Sequence, residues 1–366
     1  MRQTTGPENT AGDLAGVMQR GGFYNRHSLP QHAAAPLGQQ LIERAVEAIP
    51  LPQPGFPFLI ADFGAAQGAN SLMPIGRAIG AVRRRLAAEV PIAVVHTDIP
   101  ADDFSTLFSL VETSPDSYLR DTANVFPFAA GRTFYRQIFP AGSLSLGWSA
   151  IAVHWLSAAP ATIERHIWSP RADRETLAAF RAQSARDWWL FLAHRAVEMR
   201  PGARLIVIGG GSDDAGDSAA DGLMDMANDA LLALLREGRL DAEEYRHMAI
   251  PTYNRTPAEF VAPFAEDADD LGLVLEHSEL QILPDPLFAE YEESKDRAAF
   301  ADSYIDFFAA AFSPSIFSAL SSRRSSSARQ SIIRRFEEAL RERIIDRPAA
   351  AVCRWRVFVM LIAKPA

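Results

Sequence analysis

The sequence predicts an α/β protein built on a doubly wound, seven-stranded sheet with a helical elaboration. Three observations carry that prediction. Apolar, β-branched runs alternate with helical patterns from about residue 40 onward, two of those runs close on an aspartate, and two late stretches are too long for simple crossovers.

Taken in order, the apolar spacing over 37–49 predicts a helix ended by Pro50. Strands are expected at 58–63, 92–98, 123–128, 143–150, 204–209, 273–283 and 354–364. Seven strands with helices between them suit a doubly wound sheet. Residues 213–270 and 285–349 lie between late strands and are rich in helical pattern, Pro, Ser and acidic punctuation. Their helices are expected to pack together over one sheet edge as a cap. The core then comprises 37–212, 271–284 and 350–366. A Ser-rich run over 318–331, with Arg323, Arg324 and Arg329, reads as a mobile surface loop.

Composition narrows the class. The 366 residues are 48% hydrophobic and 22% charged, which excludes a disordered, collagen-like or disulfide-stapled chain. With 36 basic against 45 acidic residues the net charge is −9, which disfavours nucleic acid as main partner. The lone Cys353 fits a reducing compartment. Residues 1–10 lack the apolar core of a signal peptide, and the weakly charged stretch 147–163 is shorter than the ~20 residues a membrane span needs. A cytoplasmic, water-soluble chain without a membrane partner is expected.

The most informative segment is Phe58-Leu-Ile-Ala-Asp-Phe-Gly-Ala-Ala-Gln-Gly-Ala-Asn70, an apolar strand ending in Asp62, then Gly64 and Gly68, then a helical pattern. Ligands in open α/β sheets sit beyond strand carboxyl ends, where Gly admits close approach. Gly-x-x-x-Gly is not the dinucleotide spacing, so a diphosphate grip is disfavoured. The next strand closes on Asp98, placed to accept hydrogen bonds from a ribose diol unless it merely caps a helix. Together the two acids imply a nucleoside-bearing ligand without a cradled diphosphate, and S-adenosylmethionine fits better than NAD. A serine hydrolase is disfavoured because Gly147-Trp-Ser149 lacks the second Gly of a nucleophile elbow. A calcium loop at 213–217 fails on oxygen-ligand spacing and reads as a solvated linker.

Beyond this point the residues resemble a family. Tyr24-Asn-Arg-His-Ser28-Leu-Pro-Gln31, Ile60-Ala-Asp62-Phe-Gly64, Asp98-Ile-Pro-Ala-Asp-Asp103-Phe104 and Thr133-Phe-Tyr-Arg-Gln-Ile-Phe-Pro140 resemble, in order, motifs of the SABATH carboxyl methyltransferases. His154-Trp155-Leu-Ser157, Pro201-Gly202-Ala-Arg204 and Ile250-Pro-Thr-Tyr253 continue the match. The resemblance implies a class I, Rossmann-like methyltransferase fold and S-adenosylmethionine as methyl donor. Donor positions fall on Ser28, Asp62, Gly64, Asn70, Asp98, Ile99, Thr133 and Phe134. The substrate carboxylate would be held by Gln31 and Trp155, with His154 lining the pocket or, less in keeping with members that carry Met there, acting as a base. The cap would complete the pocket through Leu223, Met224, Tyr253 and Phe308, and residues 1–36 would reach both sites. An apolar pocket suggests an aromatic or isoprenoid-like acid; a xanthine-like ring nitrogen and a non-catalytic binding protein are the alternatives.

Departures are visible. The family's Cys-Ser-Ser between the glycines is Ala65-Ala66-Gln67 here, and its N-terminal Lys is replaced around Gln19-Arg20. The stretch Arg246-His-Met-Ala249 lacks the oxygen ligands with which some members hold magnesium, so no equivalent metal site is expected. The resemblance also implies a homodimer.

Overall fold

The computed structural model describes residues 16–366 apart from 54, 121 and 267. The signal-peptide reading of residues 1–10 lies outside the described residues. Strands β1 (Phe58–Phe63), β2 (Ile92–Asp98), β3 (Val125–Gly131), β4 (Leu144–Ala150), β5 (Met199–Gly211), β6 (Val274–Ile282) and β7 (Arg356–Ala363) form one sheet. Its order is β3-β2-β1-β4-β5-β7-β6. The first five strands pair parallel, and β7 inserts antiparallel between β5 and β6. The chain leaves β1 toward one edge and returns through β4 toward the other, so the topological switch lies between β1 and β4, where open sheets open a crevice.

Alternate side chains of a strand point to opposite faces, and both faces are covered. Phe58 and Ile60 of β1 join Ile206 and Ile208 of β5 under the helices Gln39–Ala48 and Ala69–Arg83. Ala61 and Phe63 join Leu205 and Val207 under the helix Arg174–Glu198, whose Trp188, Phe191 and Leu192 are buried there.

A third layer is wholly helical. Helices Asp221–Arg236, Arg297–Ala311 and Ser326–Asp346 share one core that includes Leu231, Phe308, Phe336 and Leu340. It packs on the loop after β4 through Trp155 and Trp168. The layer therefore sits beyond the carboxyl ends of the central strands, not beside an edge strand. The reason is connectivity: the chain leaves from the end of β5, and antiparallel β7 begins at that same end.

The structure departs from the sequence reading in several places, and β5 starts at Met199, five residues earlier than expected. The helix Pro257–Glu266, within the stretch read as cap, packs on the sheet, where Phe260 stacks on Phe358 of β7. Residues 318–331 are not a free loop, since Arg324 forms a two-pronged pair with Glu244 and a helix begins at Ser326. Strand β3 starts two residues later than expected because Asn124 takes a left-handed turn, φ 61°. Among the described residues no helix is long and apolar enough to cross a membrane.

Candidate active site

Two chambers open beyond the carboxyl ends of β1, β2 and β4. The larger, about 490 Å³, is lined by Asp62, Gly64, Asn70, Asp98, Ile99, Thr133 and Phe134. The smaller, about 50 Å³, is lined by His154, Trp168, Thr252, Asn254, Phe307 and Phe312 among others. Met18, Tyr24, Gln31, Ile151 and Trp155 face both. Gln31 and Trp155 therefore stand where the chambers meet.

Each wall of the large chamber is built from a strand end. Asp62 is the last residue but one of β1, and its Oδ2 meets the Nδ1 of buried His96 on β2 at 2.9 Å; the ring's Nε2 meets the Tyr118 hydroxyl at 2.9 Å. With a proton on Nδ1 the ring donates to Asp62 while Nε2 faces the Tyr118 hydroxyl, and this contact holds the carboxylate in place. Asp98 closes β2 and accepts the amides of Ala66 and Ile99 at 2.8 and 2.7 Å. Burial pushes its carboxyl up to about 7, aided by neighbouring Asp102, itself pushed up by burial to about 6. Gly64 has φ +85°, and a Cβ there would lie 2.3 Å from that of Ala152, so this turn requires glycine.

A buried ion pair anchors the wall carrying Thr133 and Phe134. Arg195 donates to the carbonyls of Phe134 and Arg136, both at 3.0 Å, and Glu198 accepts the Phe139 amide at 3.1 Å. The pair itself closes at 2.7 Å with both side chains fully buried.

Residues before β1 cross the mouth. Asn25 clamps the glycine loop, donating to the Gln67 carbonyl and accepting the Ala69 amide. Asn70 donates to the Ser28 hydroxyl at 3.2 Å, so Ser28 supports the chamber through Asn70 rather than lining it. Gln67 turns away to the Gln19 carbonyl, and Arg20 reaches the Ala101 carbonyl instead of the cavity.

The loop after β4 is held at nearly every residue. The Trp155 carbonyl accepts the Tyr135 hydroxyl at 2.5 Å, and its amide donates to Ala152 at 3.0 Å. Arg255 donates to the Val153 carbonyl, the Tyr253 amide donates to His154, and Ser157 binds Asp187 through its amide and hydroxyl. Burial, with the charge of Arg255, pushes the His154 imidazole down to about 3, so the ring is neutral at neutral pH.

Four expected pocket residues line neither chamber. Leu223, Met224 and Phe308 are fully buried in the helical core; Phe308 packs on Phe312 and Phe336. Tyr253 points the other way, to Arg181 and Glu259. Phe307 and Phe312 take the wall instead. Tyr24, His96, Trp168 and Asn254 were missed as site residues. Of these only Tyr24 stood inside one of the family-like motifs, while His96 lay unremarked in the strand expected at 92–98. Ser149 is buried in β4 and donates to the Phe63 carbonyl, and Asp213 and Asp217 pair with Arg356. Among the described residues no group of three or more His, Cys, Asp or Glu could hold a metal ion.

A family model described as SAM dependent carboxyl methyltransferase matches residues 17–360. Methyltransferase LUC1 of a Fusarium species is 28% identical over 243 residues, which cover 65% of this chain and 64% of that protein. Gibberellic acid methyltransferase 2 of Arabidopsis thaliana is 27% identical over 262 residues, 65% of this chain and 67% of that one. The match thus spans about two thirds of these relatives' length. A solved loganic acid methyltransferase with SAH has the same fold, with TM-score 0.78 and 18% identity over 96% of this chain and 99% of that one. Its motifs and the match over 17–360 agree: the chain belongs to the SAM-dependent carboxyl methyltransferases, the SABATH family.

Proposed function

We propose that the protein transfers a methyl group from S-adenosylmethionine to the carboxylate of a small, largely apolar acid, giving a methyl ester. The observation that carries the reading is the wall shared by the two chambers, where Gln31 and Trp155 stand. The large chamber's residues fit the donor. Each Asp98 oxygen accepts one backbone amide, which leaves acceptor capacity for a ribose diol. Asp62 faces the same space, suited to a cationic amino group, while Ile99 and Phe134 offer apolar surface to adenine. Asn70, with Ser28 behind it, and Thr133 add neutral hydrogen-bonding groups.

When bound, S-adenosylmethionine supplies an electrophilic methyl on a sulfonium sulfur. The protein's part is alignment. Gln31 and Trp155 offer amide and indole N–H donors, which orient a carboxylate without a salt bridge. That neutrality suits a transfer in which opposite charges disappear, because a cationic clamp would hold the ground state more tightly than the transition state. An acid with a pKa of about 4–5 is already ionised at neutral pH, so no base is required, and the low basicity of buried His154 agrees. His154 then lines the substrate chamber and offers a hydrogen bond. The helical layer, read as a cap, excludes water. A homodimer, after the resemblance, and a cytoplasmic location, after the composition, belong to the same reading.

A screen of carboxylic acids with radiolabelled donor, counting organic-extractable methyl ester, tests it alongside calorimetry with the donor. Ester from at least one acid is the expected result. Methylation of a xanthine but of no acid would overturn the carboxylate assignment, and absence of donor binding would overturn the reading altogether.

A further inference from the structure

The small chamber is walled largely by apolar side chains such as Phe307 and Phe312, yet five of its lining residues carry a buried polar atom without a partner among the described residues. Trp168 Nε1, Thr252 Oγ1, Asn254 Nδ2, His154 Nδ1 and Gln31 Oε1 are all buried, and among the described residues none of them finds a hydrogen-bond partner. Trp168 and Thr252 are 2% and 1% exposed, so bulk water does not satisfy them. An unmet buried polar group is costly, and several lining one chamber mark a place made for a hydrogen-bonding guest.

The chemistry of the set restricts that guest. Trp168 and Asn254 present N–H donors, Gln31 an acceptor, and Thr252 and neutral His154 can do either. Among the described residues the one cation lining the chamber is Arg356, which Asp213 and Asp217 engage, so none of them offers a free positive charge to a second anion. Glycine at 210 lets His154 and Asn254 close in on β5, since a Cβ there would lie 2.9 Å from His154 Nδ1 and 3.0 Å from Asn254 Oδ1. A hydroxyl uses donors and acceptors together; a carbonyl leaves the acceptor unmet.

We infer that the acid bears a second, uncharged function, a hydroxyl, seated among Trp168, Thr252, Asn254 and His154. The inference rests on the proposed carboxyl methylation and adds the substrate class: a hydroxy acid, held by its carboxylate at Gln31 and Trp155 and by its hydroxyl in the small chamber.

The test compares kcat/KM for acids that differ by a single hydroxyl, moved position by position, with their deoxy parents and keto analogues. At one position the hydroxy acid is expected to exceed its parent by at least about tenfold, because the parent leaves the polar atoms unmet. Trp168→Phe, which removes the N–H, and isosteric Thr252→Val are each expected to bring that ratio toward one; donor calorimetry on both variants shows that they are folded. Deoxy parents turned over as fast at every position, or ratios unmoved in both variants, overturn the inference and leave the atoms to bound water. Preference for the keto analogue overturns the hydroxyl. Donor binding with no ester from any acid instead defeats the underlying methyl-transfer reading, so the two failures are distinct.

Discussion

Trp155→Phe tests the division of labour at the shared wall. The substitution removes one indole N–H and part of a ring that lies against Gly16 and Phe312. The backbone should hold, since the Trp155 carbonyl and amide are both bonded and Leu156 donates to Pro251 at 2.9 Å. A hydrogen bond to a charged group contributes about 1.5–3 kcal/mol. Its loss therefore lowers kcat/KM for the acid by roughly 10- to 150-fold. Asp62, Asp98 and Phe134 lie on other elements, so the dissociation constant for the donor should change by less than about threefold, under 1 kcal/mol. Single-turnover ester formation and donor calorimetry on the same preparation read both quantities. Equal loss in the two would refute the reasoning and make Trp155 a support of the whole cavity.

Glu198→Gln keeps the shape of the side chain but leaves Arg195 buried beside a neutral partner. Destabilisation of about 3–5 kcal/mol is expected in denaturant titrations, with weakened donor binding because the Phe134 loop loses its anchor; a loss under about 1 kcal/mol would count against that anchoring role. Two groups set opposite pH trends. Folded Asp98 keeps its proton to about pH 7 whereas an unfolded aspartate loses it near pH 4, so the native state binds more protons between them and stability falls as pH rises through that window. A donor that favours the ionised form should release a proton on binding near pH 7, seen as a binding enthalpy that varies with buffer; an enthalpy independent of buffer would exclude it. Folded His154 stays neutral down to about pH 3, so its contribution is lost as pH falls from about 6.5, and His154→Gln should leave the pH–rate profile between pH 5 and 8 without a changed limb.

Strand ends were legible because they combine two local signals, an apolar β-branched run and a terminal acid; Asp62 and Asp98 arrive in the chamber for that reason. Gln31 and Trp155 were reached through collinear motifs, since an amide in a short helix and an aromatic after a strand carry no signal of their own. The cap residues show where local reading stops. Helical periodicity marks Leu223, Met224 and Phe308 as apolar, but whether an apolar face meets a cavity or another helix depends on which partner covers it. Here Phe308 meets Phe336 of the helix Ser326–Asp346, and Leu223 and Met224 are buried in the same core. Tyr253 is adjacent in structure to His154, yet Arg181 and Glu259 draw its hydroxyl outward. Trp168 and Asn254 lie 86 residues apart in the chain and meet only because the loop after β4 pairs with residues near 252.

The wall that Met18, Tyr24, Gln31 and Trp155 present to both chambers has a thermodynamic consequence. A side chain that touches two ligands can pass a small adjustment from one to the other. Donor and acid should therefore change each other's affinity, and linkage requires the two factors to be equal whichever ligand arrives first. After transfer the same partition separates two products whose departures are coupled, so the ester's residence time should depend on whether the spent donor is still in place.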